Sequence, residues 1–211
     1  MPVTFLVFGE DDSDRKAIAL LVKAFLNNNG NVKIKLLRKP AVLGREAIAS
    51  GKRRKMAEVI AGFYRGFSKT ENTYVIVHRD CDDIHPAHES CAAELELELK
   101  SLGVEDAIAA TPCWEIESWW MLFPDAFKNV RACWNHINYG STDVGMIRNA
   151  KEVLIRDLRP TTKRESCRDF KEDDGILIAE YIRQNPIILT KIRAQSGSFS
   201  DFRRKVQAIS V

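Results

Sequence analysis

The sequence lacks a long apolar segment, an internal repeat and a low-complexity linker. No apolar run approaches the roughly 18 residues that a membrane helix needs. A signal peptide begins with a basic stretch ahead of a long apolar region. The N-terminal residues 1–5 do not show this pattern. We therefore expect a globular, cytoplasmic protein with no membrane partner.

Cysteine is scarce. The chain has five cysteines, an odd number with wide and irregular spacing: Cys81, Cys91, Cys113, Cys133 and Cys167. This pattern excludes a secreted disulfide framework and a zinc site of paired Cys-x-x-Cys motifs. We expect all five cysteines to be reduced and most of them to be buried.

A second zinc pattern also departs from the usual spacings. Cys81, His85, His88 and Cys91 lie close together in the chain, as Cys-x3-His-x2-His-x2-Cys. Structural zinc sites use other ligand spacings. We therefore interpret these four residues as part of a loop and the start of a helix.

Net charge is also small, at +3, but the charges are unevenly placed. Residues 31–70 carry 11 basic and 2 acidic side chains, whereas residues 71–125 carry 2 basic and 13 acidic ones. Residues 126–211 are basic again, with 16 against 10. A basic block next to an acidic block indicates a charged partner rather than a neutral surface.

Strands alternating with helices are predicted for residues 1–123. Residues 4–8 and 73–77 are almost continuously apolar, which is typical of strands buried on both faces of a parallel sheet. Residues 31–37 alternate apolar side chains with lysines and predict a strand near a sheet edge. Residues 107–111 form a plausible fourth strand. These strands predict an α/β fold with a doubly wound, mostly parallel sheet.

Apolar residues at helical spacing predict a first helix that is capped by Ser13 or Asp12. They predict further helices near 54–67 and over about 87–102. The pattern changes at residue 124. Residues 124–170 are polar and irregular, while 173–183 and 197–209 are predicted to be helical. We therefore divide the chain into a core, residues 1–123, and a helical extension, residues 124–211, packed on it.

Acidic residues follow three of the predicted strands. Glu10 follows the first strand, Asp80 and Asp82 follow the third, and Glu115 and Glu117 follow the fourth. Ligands of parallel α/β sheets bind at the carboxyl ends of the strands. In an extended chain Asp80 and Asp82 point the same way. Carboxylates this close repel one another unless a cation lies between them, and oxygen ligands suit Mg²⁺ or Mn²⁺.

The last pair has a geometric restriction. On a helix, positions two apart are separated by about 200° around the axis. We therefore expect only one of Glu115 and Glu117 to reach the metal.

These motifs carry a resemblance to a known family. Gly9-Glu10 after the first strand, followed about 70 residues later by an apolar strand that ends in Asp80-x-Asp82, resembles the Toprim (topoisomerase-primase) pattern. The segment 115–119, Glu-Ile-Glu-Ser-Trp, further resembles small bacterial Toprim-like proteins related to the nuclease domain of OLD-family (overcoming lysogenization defect) proteins. Several of those proteins partner with ATPases in phage defence. The resemblance covers about residues 1–123.

The resemblance implies a Toprim-like core and a metal-dependent nuclease that acts on DNA or RNA with Mg²⁺ or Mn²⁺. It implies an acid/base or metal role for Glu10 and metal binding by Asp80 and Asp82, so these three residues are the expected catalytic residues. Glu115 and Glu117 are further candidate metal ligands. An ATPase is a candidate partner protein.

The basic block fits such a substrate. Lysine and arginine neutralise phosphates without reading sequence. The candidate nucleic-acid-binding residues are Arg38, Lys39, Arg45, Lys52, Arg53, Arg54 and Lys55. A second basic set could extend this track: Lys163, Arg164, Arg203, Arg204 and Lys205.

Two other functions are compatible with the same residues. The acidic turn 8–14 is similar to that of a two-component receiver domain, in which Asp80 would be the phosphoacceptor and Thr111 the switch hydroxyl. The spacing of about 70 residues to Asp80 is longer than in receivers, and a Lys-Pro after a fifth strand is missing. The other alternative is a catalytically silent protein whose charged blocks dock a second chain.

Overall fold

A computed structural model describes residues 2–37, 53–160 and 167–210, with the side chain of Arg53 left out. Four strands form one parallel sheet: β1 (Val3–Phe8), β2 (Val32–Leu36), β3 (Asn72–His78) and β4 (Ala107–Ala110). Their order across the sheet is β2-β1-β3-β4, and every neighbouring pair is parallel. The predicted α/β fold with a mostly parallel sheet is confirmed.

The α-helices described for residues up to 123 alternate with the strands as expected, and further helices follow in succession. They are α1 (Asp12–Phe25), α2 (Arg53–Phe67), α3 (Ala87–Lys100), α4 (Glu117–Trp120), α5 (Pro124–Val130), α6 (Ala150–Leu158), α7 (Asp174–Gln184) and α8 (Gly197–Gln207). Short 3₁₀ turns occur at Val144–Met146 and Pro186–Thr190.

Burial along the strands follows the predicted pattern. All six residues of β1 are buried, as expected for a strand covered on both faces. The strand β2 has no buried residue and lies at one edge of the sheet, which confirms the interpretation of its lysine alternation.

The sheet is covered on both faces. On one face, Leu6 and Phe8 of β1 pack with apolar residues of α2 and α3. On the other face, Phe5 and Val7 pack with α1 and with the helices that follow residue 117. Successive side chains of a strand point to opposite faces, so the apolar strand β1 supplies both cores.

Residues beyond 124 take part in the larger core. Phe127, Ile178 and Phe202 belong to the same buried cluster as Phe5 and Val7. The helix α7 packs along α1. The prediction that 124–170 is irregular is wrong for α5 and α6, whose apolar residues at helical spacing are buried among polar neighbours.

Two cysteines contradict the expectation of free thiols. Cys133 and Cys167 form a disulfide, which links two segments 34 residues apart. The other three cysteines are free and buried, as expected.

The helices of the described residues were compared with the requirements of a membrane span. None of them combines the length and the apolar character that such a span requires.

Candidate active site

The ends of three strands bring the candidate residues to one edge of the sheet. Within the parallel ladder Phe8 pairs with Val77, and His78 pairs with Ala110. The chains of β1, β3 and β4 therefore leave the sheet at nearly the same level. Glu10 and Asp80 each follow two residues beyond the end of their strand.

His78, the last residue of β3, lies at the centre of this edge. Its ring is fully buried, with Nδ1 3.5 Å from Asp14 Oδ2 and Nε2 3.2 Å from Asp80 Oδ1. Burial lowers the pKa of His78, but the charges of Asp14, Asp80 and Glu10 outweigh this effect and raise it to about 10. The imidazole is therefore a cation at neutral pH, and it partly neutralises the carboxylates around it.

Asp14 reaches this histidine because of how α1 begins. The carboxylate of Asp11 accepts a hydrogen bond of 2.8 Å from the backbone N–H of Asp14, so Asp11 is the N-cap. The prediction that Asp12 or Ser13 caps the helix is wrong. Asp12 instead pairs with Lys16, at 2.6 Å. Burial, together with the charge of Asp80, raises the pKa of Asp14 to about 6 despite the opposing charge of His78.

Glu10 lies on the turn between β1 and α1 and is partly buried. Its pKa is raised to about 7, mainly by burial and then by the charges of Asp80, Asp14 and Asp82, against the effect of His78. The turn is tight: a Cβ on Gly9 would lie 2.8 Å from Cγ of Arg15. A glycine before Glu10 therefore lets α1 pack closely on the strand end.

Asp80 and Asp82 are not arranged as an extended chain would place them. Asp82 has a φ of +50°, in the left-handed region, and its backbone N–H donates to Trp114 O at 3.0 Å. The segment therefore turns at Asp82, and the reason given above for two parallel carboxylates is wrong. Asp82 is exposed, whereas Asp80 is partly buried. The charge of Asp82 still reaches Glu10 and raises its pKa.

Glu115 and Glu117 lie on the other side of Asp80 in the strand order, after β4. Glu117, in α4, is 4% exposed, and burial together with the charge of Asp80 raises its pKa to about 8. Glu115 precedes the helix, and its Oε2 accepts a hydrogen bond of 3.1 Å from the backbone N–H of Lys151. Burial and nearby charges, including Asp80, also raise the pKa of Glu115.

Asp80 is thus the common neighbour of the acidic residues at this edge. Its charge raises the pKa of four carboxyl groups: Glu10, Asp14, Glu115 and Glu117. Its buried Oδ1 atom lies 3.2 Å from Nε2 of His78, which is a cation. One imidazolium offsets only part of the negative charge of these carboxylates, so a further cation would stabilise the group.

These residues fit a hydrated divalent cation better than a tight cage. No three of these carboxylates offer oxygens within 4.8 Å of one another; within the described ranges, the group that meets this criterion is His85, His88 and Cys113. Mg²⁺ usually keeps several waters and binds through one or two carboxylates plus substrate phosphate. The looser arrangement around Asp80 matches that mode of binding.

One cavity of the described structure lies away from this edge. A cavity of about 540 Å³ is lined by Met121, His136 and Arg193, among others, and by none of these carboxylates. We locate the candidate site by its buried, interacting charges, because an open hydrated cation site needs no enclosed pocket.

Most of the predicted nucleic-acid track lies outside the described residues. This applies to Arg38, Lys39, Arg45 and Lys52, to the side chain of Arg53, and to Lys163 and Arg164. Arg54 and Lys55 are exposed at the start of α2, where Arg54 pairs with Glu58 at 3.3 Å.

The second basic set in α8 has partners within the chain. Arg203 donates to Leu189 O at 2.9 Å, Arg204 pairs with Asp201 at 3.2 Å and Lys205 pairs with Glu96 at 2.6 Å.

Thr111, Trp119 and Trp120 are buried and make contacts within the core. The Thr111 hydroxyl, the switch group of the receiver alternative, is buried and donates to His88 O at 3.3 Å. Trp119 and Trp120 are buried in the larger core, and Trp119 stacks on Phe202.

His78 and Asp14 were missed by sequence reasoning. His78 lies at the end of an apolar strand, and Asp14 lies in an acidic turn that was interpreted as a helix cap or as the acidic turn of a receiver domain. Their one available signal was position: both lie within four residues of Glu10 or Asp80.

Comparisons with known proteins add no assignment. No protein-family model, curated protein or solved structure matches the chain.

Proposed function

We propose that this protein is an Mg²⁺- or Mn²⁺-dependent phosphodiesterase that acts on DNA or RNA. The observation that supports this proposal is the position of Asp80, whose charge raises the pKa of carboxyl groups that follow β1 and β4. His78 supplies one positive charge to this group, and carboxylates that outnumber their positive partners favour a bound cation.

The raised pKa values of the carboxyl groups at this edge indicate that a further positive charge would stabilise them. Glu10 and Glu117 have pKa values of about 7 and about 8, so each holds a proton for much of the time near neutral pH. A divalent cation would replace those protons and return both groups to the ionised state. Asp80 would be the central ligand, with Glu10, Asp82, Glu115 and Glu117 as the further oxygen donors.

The bound metal ion would supply Lewis-acid polarisation of the scissile phosphate and activation of water. Glu10, which would be ionised once the metal is bound, is the carboxylate that we assign to accept a proton from the attacking water. His78 holds Asp80 and Asp14 in place from inside the core, so these carboxylates need not rearrange when substrate binds.

The proposed substrate is a nucleic acid in the cytoplasm. The basic residues 38–55 follow β2 in the chain and would neutralise the phosphates of a nucleic acid. An ATPase partner and a role in phage defence are part of the proposal only through the resemblance described above.

A cleavage assay tests the proposal directly. Purified protein is incubated with single- and double-stranded DNA and with RNA, in Mn²⁺, in Mg²⁺ and in EDTA. We expect cleavage that needs the metal and that falls at least about 100-fold in Glu10→Gln and Asp80→Asn, in line with the loss of a group that acts on the transition state. Glu105→Gln, an exposed carboxylate outside the site, is the matched control.

Three outcomes would contradict the proposal: no cleavage of any substrate, cleavage that persists in EDTA, or full activity of both site variants. Circular dichroism of each variant separates loss of activity from loss of fold. Incubation with acetyl phosphate followed by intact mass measurement covers the receiver alternative, since that alternative requires one added phosphoryl group lost in Asp80→Asn.

A further inference from the structure

A second group of metal-ligating side chains lies beside the carboxylate edge. His85, His88 and Cys113 place one ligand atom each within 4.8 Å of one another. His85 lies in the loop before α3, His88 lies in the first turn of α3, and Cys113 follows β4. The three residues are not consecutive in any motif, so only the fold brings them together.

The distances suit a small, tetrahedral ion. Cys113 Sγ is 3.5 Å from His88 Nδ1. Ligands bound to zinc at its usual Zn–N and Zn–S lengths are about 3.3–3.8 Å apart in a tetrahedron. The two imidazole rings stack with their centroids 5.2 Å apart.

One ligand atom of the cluster has no partner among the described residues. This atom is the buried Nδ1 of His85. The Cys113 side chain is also fully buried. A buried ring nitrogen without a donor or acceptor is costly, and a metal ion would satisfy it.

The surroundings leave space for the cluster and orient one ligand. A Cβ on Gly197 would lie 3.1 Å from Nδ1 of His85 and 3.1 Å from Cε1 of His88, so a glycine there allows α8 to approach both rings. His88 Nε2 is 3.6 Å from Asp201 Oδ2. A carboxylate behind a ligating histidine fixes the tautomer and the orientation of its ring.

We propose that His85, His88 and Cys113 bind one Zn²⁺ ion, with Asp201 as the carboxylate that orients His88. Imidazole and thiolate are the ligands that zinc prefers, whereas Mg²⁺ and Mn²⁺ prefer oxygen. Binding converts the Cys113 thiol to a thiolate, and its proton passes to solvent. Three protein ligands leave one position of the tetrahedron for water or another oxygen donor.

The site would join the two loops that carry the carboxylates. The loop after β3 already contacts the loop after β4 through Cys81 N–H to Pro112 O and Trp114 N–H to Asp83 O, at 3.1 and 2.8 Å. Zinc would add a link between His85 and Cys113 a few residues further on. It would thus hold Asp80 and Glu117 at a fixed separation, without depending on the proposed phosphodiesterase activity.

The sequence pattern that was considered for zinc and set aside contains a different set of residues. Cys91, the fourth member of the unusual motif, accepts hydrogen bonds from Arg79 at 3.1 and 2.8 Å. Cys81 donates to Thr111 O at 3.6 Å. The structure therefore separates both cysteines from the two histidines and supplies Cys113 in their place.

Metal titration tests this proposal. The full chain, stripped of metal and kept in a phosphine reductant, is titrated with Zn²⁺ against a competing chromophoric chelator and, separately, with Co²⁺. We expect one ion per chain and, with Co²⁺, the near-ultraviolet charge-transfer band of a thiolate ligand. Cys113→Ser and His88→Gln should weaken binding at least tenfold, and Asp201→Asn by about 10- to 100-fold.

The controls separate this site from the carboxylate edge. Glu10→Gln and His136→Gln, which alter the other site and an exposed histidine, should bind Zn²⁺ like the unmodified chain. No zinc binding by the unmodified chain, a cobalt spectrum without the thiolate band, or unchanged affinity in Cys113→Ser would each overturn the proposal. The cobalt spectrum is measured on the unmodified chain, so it decides the question even if a variant fails to fold.

Discussion

The imidazole of His78 lies 3.2 Å from the carboxylate of Asp80, and the histidine ring is completely buried. The ring stands at the end of the central strand β3 and also faces Asp14 at 3.5 Å. A buried cation between two carboxylates is stable only while both partners remain, because the desolvation of each charge is offset by the others.

Removal of this cation should destabilise the fold. We expect His78→Ala to lower the free energy of unfolding by about 3–5 kcal/mol at neutral pH, because Asp14 and Asp80 lose their buried counter-charge. Urea denaturation followed by tryptophan fluorescence measures the change. His136→Ala, at an exposed histidine, should stay within about 0.5 kcal/mol of the unmodified chain. A loss below about 1 kcal/mol in His78→Ala would show that the ring is neutral in the folded protein.

Stability without metal should fall as the pH rises. Glu10, Asp14 and Glu117 have folded-state pKa values of about 7, 6 and 8, above their ordinary values, so the folded chain holds protons that the unfolded chain has released. The pKa of His78 is raised to about 10, so its contribution is present below about 6.5 and is lost as the pH approaches 10. All four groups act in the same direction, while His88, whose pKa is lowered mainly by burial, opposes them.

We therefore expect the melting temperature in EDTA to decrease from pH 5 to pH 9. Glu117→Gln removes one of the carboxyl groups with a raised pKa, so the melting temperature of this variant should decrease less than that of the unmodified chain. Mn²⁺ should reduce the decrease by replacing the protons. Differential scanning fluorimetry across this range measures all three effects. A melting temperature that rises steadily with pH would show that the pKa values of these carboxyl groups are not raised.

The disulfide between Cys133 and Cys167 should contribute measurably to stability. Closing a loop of 34 residues removes about 4 kcal/mol of entropy from the unfolded chain. We expect Cys133→Ser/Cys167→Ser to lower the melting temperature, and reduction of the unmodified chain to lower it by a similar amount. Reductant should leave the double variant unchanged. An intact mass that shows five free thiols in the chain purified without reductant would contradict this prediction.

Two helical glycines should respond in opposite ways to alanine. A Cβ on Gly175 would lie 2.9 Å from Nε1 of Trp120, so Gly175→Ala should cost about 1–3 kcal/mol through overpacking. A Cβ on Gly62 would meet nothing within 4 Å, and Gly62→Ala should stabilise α2 by about 0.5–1 kcal/mol. Chemical denaturation of both variants measures the difference, and equal effects would contradict this account of the contact between α7 and Trp120.

Local sequence patterns predicted most of the sheet. Continuous apolar runs identified β1 and β3, because a strand covered on both faces needs apolar side chains at every position. The lysine alternation identified β2 as an edge strand. The positions of Glu10, Asp80 and Glu117 after their strands followed from the same reasoning, because parallel strands end at one edge of the sheet.

The same reasoning failed where a pattern had two interpretations. The polar segment 124–170 concealed α5 and α6, whose few apolar residues sit at helical spacing. Asp82 was expected to continue an extended chain, but the left-handed conformation at this residue turns the loop towards Trp114. A single sequence does not show which of two allowed backbone conformations a loop adopts, since contacts with the next loop decide it.

The sequence by itself determined the order of elements and which residues could carry chemistry, because burial period and side-chain type are local properties. The tertiary structure decided which of those residues meet. It placed His78 between Asp14 and Asp80, gathered the acidic residues around Asp80, and brought Cys113 to His85 and His88. Neighbours such as Glu10 and Asp80 lie 70 residues apart in the chain, and their proximity depends on the parallel pairing of β1, β3 and β4, which no local pattern encodes.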